Sequence, residues 1–126
     1  MVTSTSRRIE VRVENVLEMN SGETRVFGFE RAGRREQGFL LRLAEGFVAF
    51  CNRCPHWNVD LDLGDERFYD ERIAAIVCRN HGAIFEPESG LCTAGPCHGA
   101  YLERFEVEVD GTDVRVHVIE YRIIFA

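Results

Sequence analysis

Two short runs decide how this chain folds: "CPHW", residues 54–57, and "CRNHGAIF", residues 78–85. The first holds a C-x-H pair, Cys54 and His56; the second holds a C-x-x-H pair, Cys78 and His81. A Cys and a His two positions apart diverge on a helix, so they point together only from an extended or tightly looped backbone. Thiolate and imidazole together suit transition metals. Two such loops facing each other would supply two thiolates and two imidazoles. Cys54, His56, Cys78 and His81 are therefore the candidate metal ligands.

Each pair is fed by a strand-like run, "GFVAFCN" (46–52) before the first and "RIAAIVC" (72–78) before the second. Further out the chain reads as β throughout. "RRIEVRVE" alternates Ile9, Val11 and Val13 with charged residues, the period of a half-buried strand. "TRVFGFE" (24–30) and "GFLLRLA" (38–44) read as strands separated by a polar turn, "RAGRREQG", with two glycines. "ERFEVEVDGTDVRVHVIE" (103–120) predicts a hairpin. Phe105, Val107 and Val109 share one face, Asp110-Gly111 turns the chain, and Val114, Val116 and Val118 return. "DERFYDERIAAIV" is the nearest approach to a helical pattern, and it is short and heavily charged at its start.

The region of about 51–99 holds all five Cys, all three Pro and three of the four His. The expected organisation is one all-β domain over 1–126. Base strands occupy about 1–50 and 100–126, and a loop-rich insert occupies about 51–99. A chain of 126 residues can bury one modest core. Its charge of -6 leaves no basic stripe for phosphates and argues against nucleic acid; an acidic surface suits a basic protein partner. No apolar run approaches the ~20 residues a bilayer requires, so no membrane association is expected. The start carries an Arg pair without the apolar segment of a secretory signal. The expected location is cytoplasmic, with thiols reduced. An odd cysteine count also disfavours a disulfide framework.

"CPHW…CRNHGAIF…SGLCTAGP" resembles the Rieske [2Fe–2S] family over about residues 47–97. The resemblance implies an antiparallel β-sandwich with a loop-rich cluster-binding subdomain. It implies one [2Fe–2S] cluster per chain, with Cys54 and Cys78 on one iron and His56 and His81 on the other. Pro96 stands where the family's covering proline loop is expected. The 21 residues between His56 and Cys78 make a gap longer than expected, which "GDERFYDE" (64–71) would fill as a surface excursion. The donor set makes physical sense for such a cluster. Two ferric ions, two sulfides and two thiolates sum to about zero charge, so an electron enters more easily than with four thiolates. Each imidazole also keeps a ring N–H that can couple electron transfer to pH.

The spacing admits a second reading: Cys51, Cys54, Cys78 and His81 as a structural Cys3His zinc site. That set leaves His56 and the "GLCTAGP" loop without a role.

High-potential members of the family tie the two cluster loops with a disulfide and place Ser and Tyr hydroxyls near the cluster sulfurs. The matching positions here are Val59 and Asn80 for the bridge, and Ala83 and Phe85 for the hydroxyls. Fewer donors stabilise the reduced state less, so the resemblance implies a potential of about −150 mV, of the ferredoxin type.

Other residues keep two readings each. Cys92 and Cys97 flank the proline loop, either as a disulfide or redox-sensitive pair that stiffens the cover or as two small semi-buried side chains. Cys51 reads as core. His98 sits in the cover loop and reads as solvated or close to the cluster. His117 alternates with valines and reads as a surface residue. Trp57 shields the site or packs in the core, and Phe85 packs beneath the second loop. "DLDLGDERFYDE" (60–71), with six carboxylates and one Arg, reads as a docking face or a solvated loop.

The function these expectations add up to is that of an electron carrier rather than an enzyme. It would pass single electrons from a reductase to a terminal oxygenase or similar oxidoreductase, as a monomer or weak homo-oligomer. An oxygenase would need a further iron held by two His and a carboxylate, and only His98 and His117 remain. A small cluster-bearing subunit of a larger oxidoreductase is the alternative role, and the apolar tail "YRIIFA" would suit a subunit contact or a last strand.

Overall fold

The computed structural model describes residues 2–56 and 58–125, with side chains described for 5–56 and 58–121. Trp57 and the tail side chains beyond Tyr121 lie outside the described residues.

Ten strands form two antiparallel sheets, and among the described residues there is no α-helix. The outer strands are β1 (Val2–Val13), β2 (Thr24–Arg31), β3 (Arg34–Leu43), β4 (Gly46–Cys51), β9 (Arg104–Asp110) and β10 (Asp113–Phe125). They make a six-stranded sheet in the order β1-β10-β9-β4-β3-β2. The strands between, β5 (Tyr69–Asp70), β6 (Ala75–Val77), β7 (Ile84–Phe85) and β8 (Cys92–Ala94), make a four-stranded sheet in chain order. One 3-10 turn, Val16–Glu18, follows β1.

The strands β3 and β4 explain how the two halves join. Their apolar residues run without a polar break, "FLL" and "VAFC", because both faces of this pair are covered. Phe39, Leu41, Val48 and Phe50 point to one core, which they share with Leu61, Phe68, Ile76, Phe85 and the thiols of Cys54 and Cys78. Leu40, Ala49 and Cys51 point to the other, with Phe27, Phe29, Phe105, Val114, Val116 and Val118. The second core is that of the base sheet; the first underlies the Cys/His loops.

Several expectations shift. Arg34–Gln37 are strand, not turn: the polar run continues β3, and only Ala32 and Gly33 lie between the strands. The last hairpin turns at Gly111-Thr112, one residue later than expected, with Gly111 at φ 64. Val109 keeps the face of Phe105 and Val107, opposite Val114, but is exposed near the end of the hairpin. Only Ala75–Val77 of "RIAAIVC" is extended, after a turn at 71–74. The excursion at 64–71 is pinned: Phe68 is buried and stacks on Phe39 at 4.2 Å with 10° between rings. His117 is buried rather than exposed. Its strand neighbours are Glu10 and Glu106, and Glu108 lies 3.7 Å from its Nε2. Long charged side chains cover this face as effectively as apolar ones.

Candidate metal centre

Three loops meet at one end of the four-stranded sheet. The first leaves β4 at Asn52. This buried side chain accepts from the Leu61 N–H at 2.8 Å and donates to Asp62 Oδ1 at 3.1 Å. Asp62, buried in turn, accepts from the Glu66 N–H at 3.0 Å. This network satisfies groups that would otherwise be buried unpaired. It also removes Asp62 from any exposed acidic face, leaving Asp60, Asp65, Glu66 and Glu71 exposed. Inside this frame the Cys/His turn closes on itself: Asn58 N–H donates to the Cys54 carbonyl at 2.9 Å, and Cys54 N–H donates to the Val59 carbonyl at 2.7 Å.

The second loop repeats the device. Gly82 N–H donates to the Cys78 carbonyl at 2.8 Å, and Cys78 N–H donates to the Ala83 carbonyl at 2.9 Å. Gly82 supplies the left-handed residue, φ 74, that this turn requires. The two loops are sewn together where Val59 and Asn80 replace the expected disulfide positions. Arg79 N–H donates to the Leu61 carbonyl at 2.7 Å, and the Asn80 side-chain amide donates to the Asp60 carbonyl at 2.7 Å.

The third loop, 95–99, carries Pro96. Gly95 lies so close to the second loop that a Cβ there would stand 2.8 Å from the Ala83 Cα. His98 is exposed in this loop.

The candidate ligands divide by depth. Cys54 and Cys78 are fully buried, walled by Leu61, Ala83, Phe85 and Cys97. His56 is half-buried and His81 exposed, their rings edge to face at 5.5 Å and 86°. Cys54, Cys78 and Cys97 share one buried core, and burial pushes the Cys54 thiol above the ordinary range. Burial, then the neighbouring Cys92, pushes Cys97 up to about 12. Among the described residues, no group of three or more His, Cys, Asp and Glu is gathered closely enough to hold a single ion.

Cys51 does not join this site. It packs in the base core with its Sγ 3.7 Å from the Gln37 carbonyl, and burial raises its thiol to about 11. That argues against the Cys3His set.

An ion network centred on buried Glu36, beneath the first loop, went unread in the sequence. Glu36 accepts from Arg31 at 2.8 and 2.9 Å and from Arg53 at 3.0 Å. Arg31 also donates to Glu103 at 2.7 and 2.9 Å and lies over the rings of Phe29 and Phe105. The Arg31 hydrogen bonds hold the Glu36 carboxyl below the usual range. Arg53 immediately precedes Cys54, so its ion pair fixes the root of the Cys/His turn.

The model of the Rieske [2Fe–2S] domain matches residues 10–120. Among solved structures, the ferredoxin of carbazole 1,9a-dioxygenase from Nocardioides aromaticivorans IC177 is similar, with TM-score 0.64 and 27% identity over 85% of this chain and 95% of that one. A chain from a complex of reduced oxygenase and oxidized ferredoxin in carbazole 1,9a-dioxygenase gives TM-score 0.65 and 28% identity, covering 86% of this chain and 92% of that one. The terminal oxygenase of carbazole 1,9a-dioxygenase from Novosphingobium sp. KA1 shares the fold at 19% identity and TM-score 0.61, over 85% of this chain and 29% of its own. No protein of curated function matches the chain.

Proposed function

Because the chain belongs to the Rieske [2Fe–2S] domain family, we propose that it is a ferredoxin-type electron carrier that holds one [2Fe–2S] cluster through Cys54, His56, Cys78 and His81. The observation that carries this reading is the sorting of the four side chains: two thiols in the dry interior of two joined loops, two imidazoles at their outer edge. That donor set fits a group with one sulfur-held and one nitrogen-held iron. When bound, the cluster would supply one-electron chemistry.

The residues of the chain do the rest. Leu61, Ala83 and Phe85 exclude water from the thiols. Buried Cys54 resists losing its proton to water, so loading the site must displace it. His56 and His81 would hold or release a ring proton near the surface, where a partner docks. Asn52, Asp62, Asn80 and Arg53 keep the loops in place so that gaining or losing an electron requires little rearrangement.

The partners we propose are a reductase as donor and a terminal oxygenase or similar oxidoreductase as acceptor. The likeness to a ferredoxin that forms a complex with its oxygenase supports this. We read 1–126 as one domain, its base at about 1–50 and 100–126 and its cluster-binding insert at about 51–99; the division into two sheets supports that reading. No helix among the described residues is long and apolar enough to cross a membrane. Five unbridged cysteines suit the reducing cytoplasm. Coulometric titration of anaerobically purified protein tests the function. Uptake of one electron per chain supports the carrier; no reducible centre rejects it.

A further inference from the structure

Cys92 and Cys97 take no part in the proposed ligand set, yet both are buried and their sulfurs lie 3.0 Å apart. A disulfide bond is about 2.05 Å long, so closing the pair takes about 1 Å of movement. The backbone around them is already closed. Cys92 N–H donates to the Ala100 carbonyl at 2.8 Å, Gly99 N–H to the Cys92 carbonyl at 2.9 Å, and Ala100 N–H to the Cys97 carbonyl at 2.9 Å. Cys97 is the less covered of the two, at 8% against 1%. Its loop neighbours Gly95, Pro96, His98 and Gly99 are all exposed.

We propose that Cys92 and Cys97 form a reversible dithiol–disulfide couple, oxidised by low-molecular-weight disulfides of the glutathione class. Cys97, the more accessible, loses its proton to solvent and its scarce thiolate attacks the oxidant's S–S bond, so exchange is slow; a mixed disulfide forms and one thiol is released. Cys92 then attacks the Cys97 sulfur, the intrachain bond forms, and the second thiol leaves. Two electrons and two protons pass from the cysteine pair to the oxidant, which departs as two thiols.

Cys97 shares one buried core with Cys54, and this gives the couple its consequence. A free Cys97 is a thiol outside the proposed ligand set that shares this core with Cys54, a side chain the site cannot spare. Bonding Cys97 to Cys92 removes that rival and staples the cover loop shut. The formation of the bond itself does not depend on the cluster.

Thiol mapping tests it. The full chain is equilibrated with oxidised glutathione, free thiols are alkylated, and digested peptides are weighed. The expected result is joint loss of alkylation at Cys92 and Cys97, in a peptide lighter by two hydrogens, restored by dithiothreitol. In Cys92→Ser, Cys97 should carry glutathione instead. Full alkylation of both cysteines after equilibration, or a Cys97–Cys54 link, would overturn the proposal. The native chain alone decides this, whether or not the variant folds.

Discussion

The Asn80 side-chain amide donates to the Asp60 carbonyl oxygen at 2.7 Å, joining the two Cys/His loops across twenty residues of sequence. Together with the bond from Arg79 N–H to Leu61 it stands where high-potential relatives are expected to use a covalent bridge. Asn80→Ala removes one hydrogen bond from a solvent-facing edge and leaves the other. The expected cost is about 1 kcal/mol in denaturant unfolding, accompanied by faster loss of bound iron to a chelator. Unchanged iron release would show that the loops do not need this tie.

Gly95→Ala tests the cover loop. The new methyl would lie 2.8 Å from the Ala83 Cα, at a φ of 100 that L side chains rarely adopt. The neighbour is backbone and cannot swing aside. Thermal unfolding should report a loss of about 1–3 kcal/mol. The visible spectrum of the metal-loaded protein should bleach faster in air, because the loop no longer seals Ala83.

The Glu36 carboxyl is held below its ordinary range, first by the Arg31 hydrogen bonds. A depressed carboxyl stabilises the fold above its unfolded pKa, and that stabilisation is lost as pH falls through the folded value. The contribution should therefore be complete at neutral pH and fall away progressively as pH drops below about 4. Glu36→Gln leaves Arg31 its pair with Glu103 and turns Arg53 to solvent, so it should cost about 1–2 kcal/mol at pH 7. Stability-versus-pH curves for the two proteins should converge in acid; parallel curves would contradict the assignment.

Ala83 and Phe85 are fully buried beside the thiols and carry no hydroxyl. With no donor from either position, the reduced state gains little, and a redox titration should give a midpoint of about −150 mV. A value above about +100 mV, in the high half of the Rieske range, would contradict this.

What the sequence made legible depends on distance along the chain. Period-2 alternation located the strands, and the spacing within 54–56 and 78–81 located the candidate ligands, because both signals are local. Alternation assigns a side chain to a face but not to a depth, which is why His117 was expected at the surface although it is buried beside Glu108. The polar start of β3 looked like a turn because its pairing with β2 supplies the order that hydrophobic patterning does not. Arg31 and Glu103 stand 72 residues apart, and no local pattern connects them. The same holds for Asn80 and Asp60: their contact exists only once both loops are built.

The central claim is that Cys54, His56, Cys78 and His81 hold a two-iron cluster with mixed ligation. Electron paramagnetic resonance of the dithionite-reduced protein, purified without air and read with nitrogen hyperfine detection, addresses it most directly. The account predicts a mixed-valent [2Fe–2S] signal coupled to two imidazole nitrogens, one of which disappears in His56→Cys or His81→Cys. A silent spectrum from iron-free protein, or a cluster signal without nitrogen coupling, would contradict it.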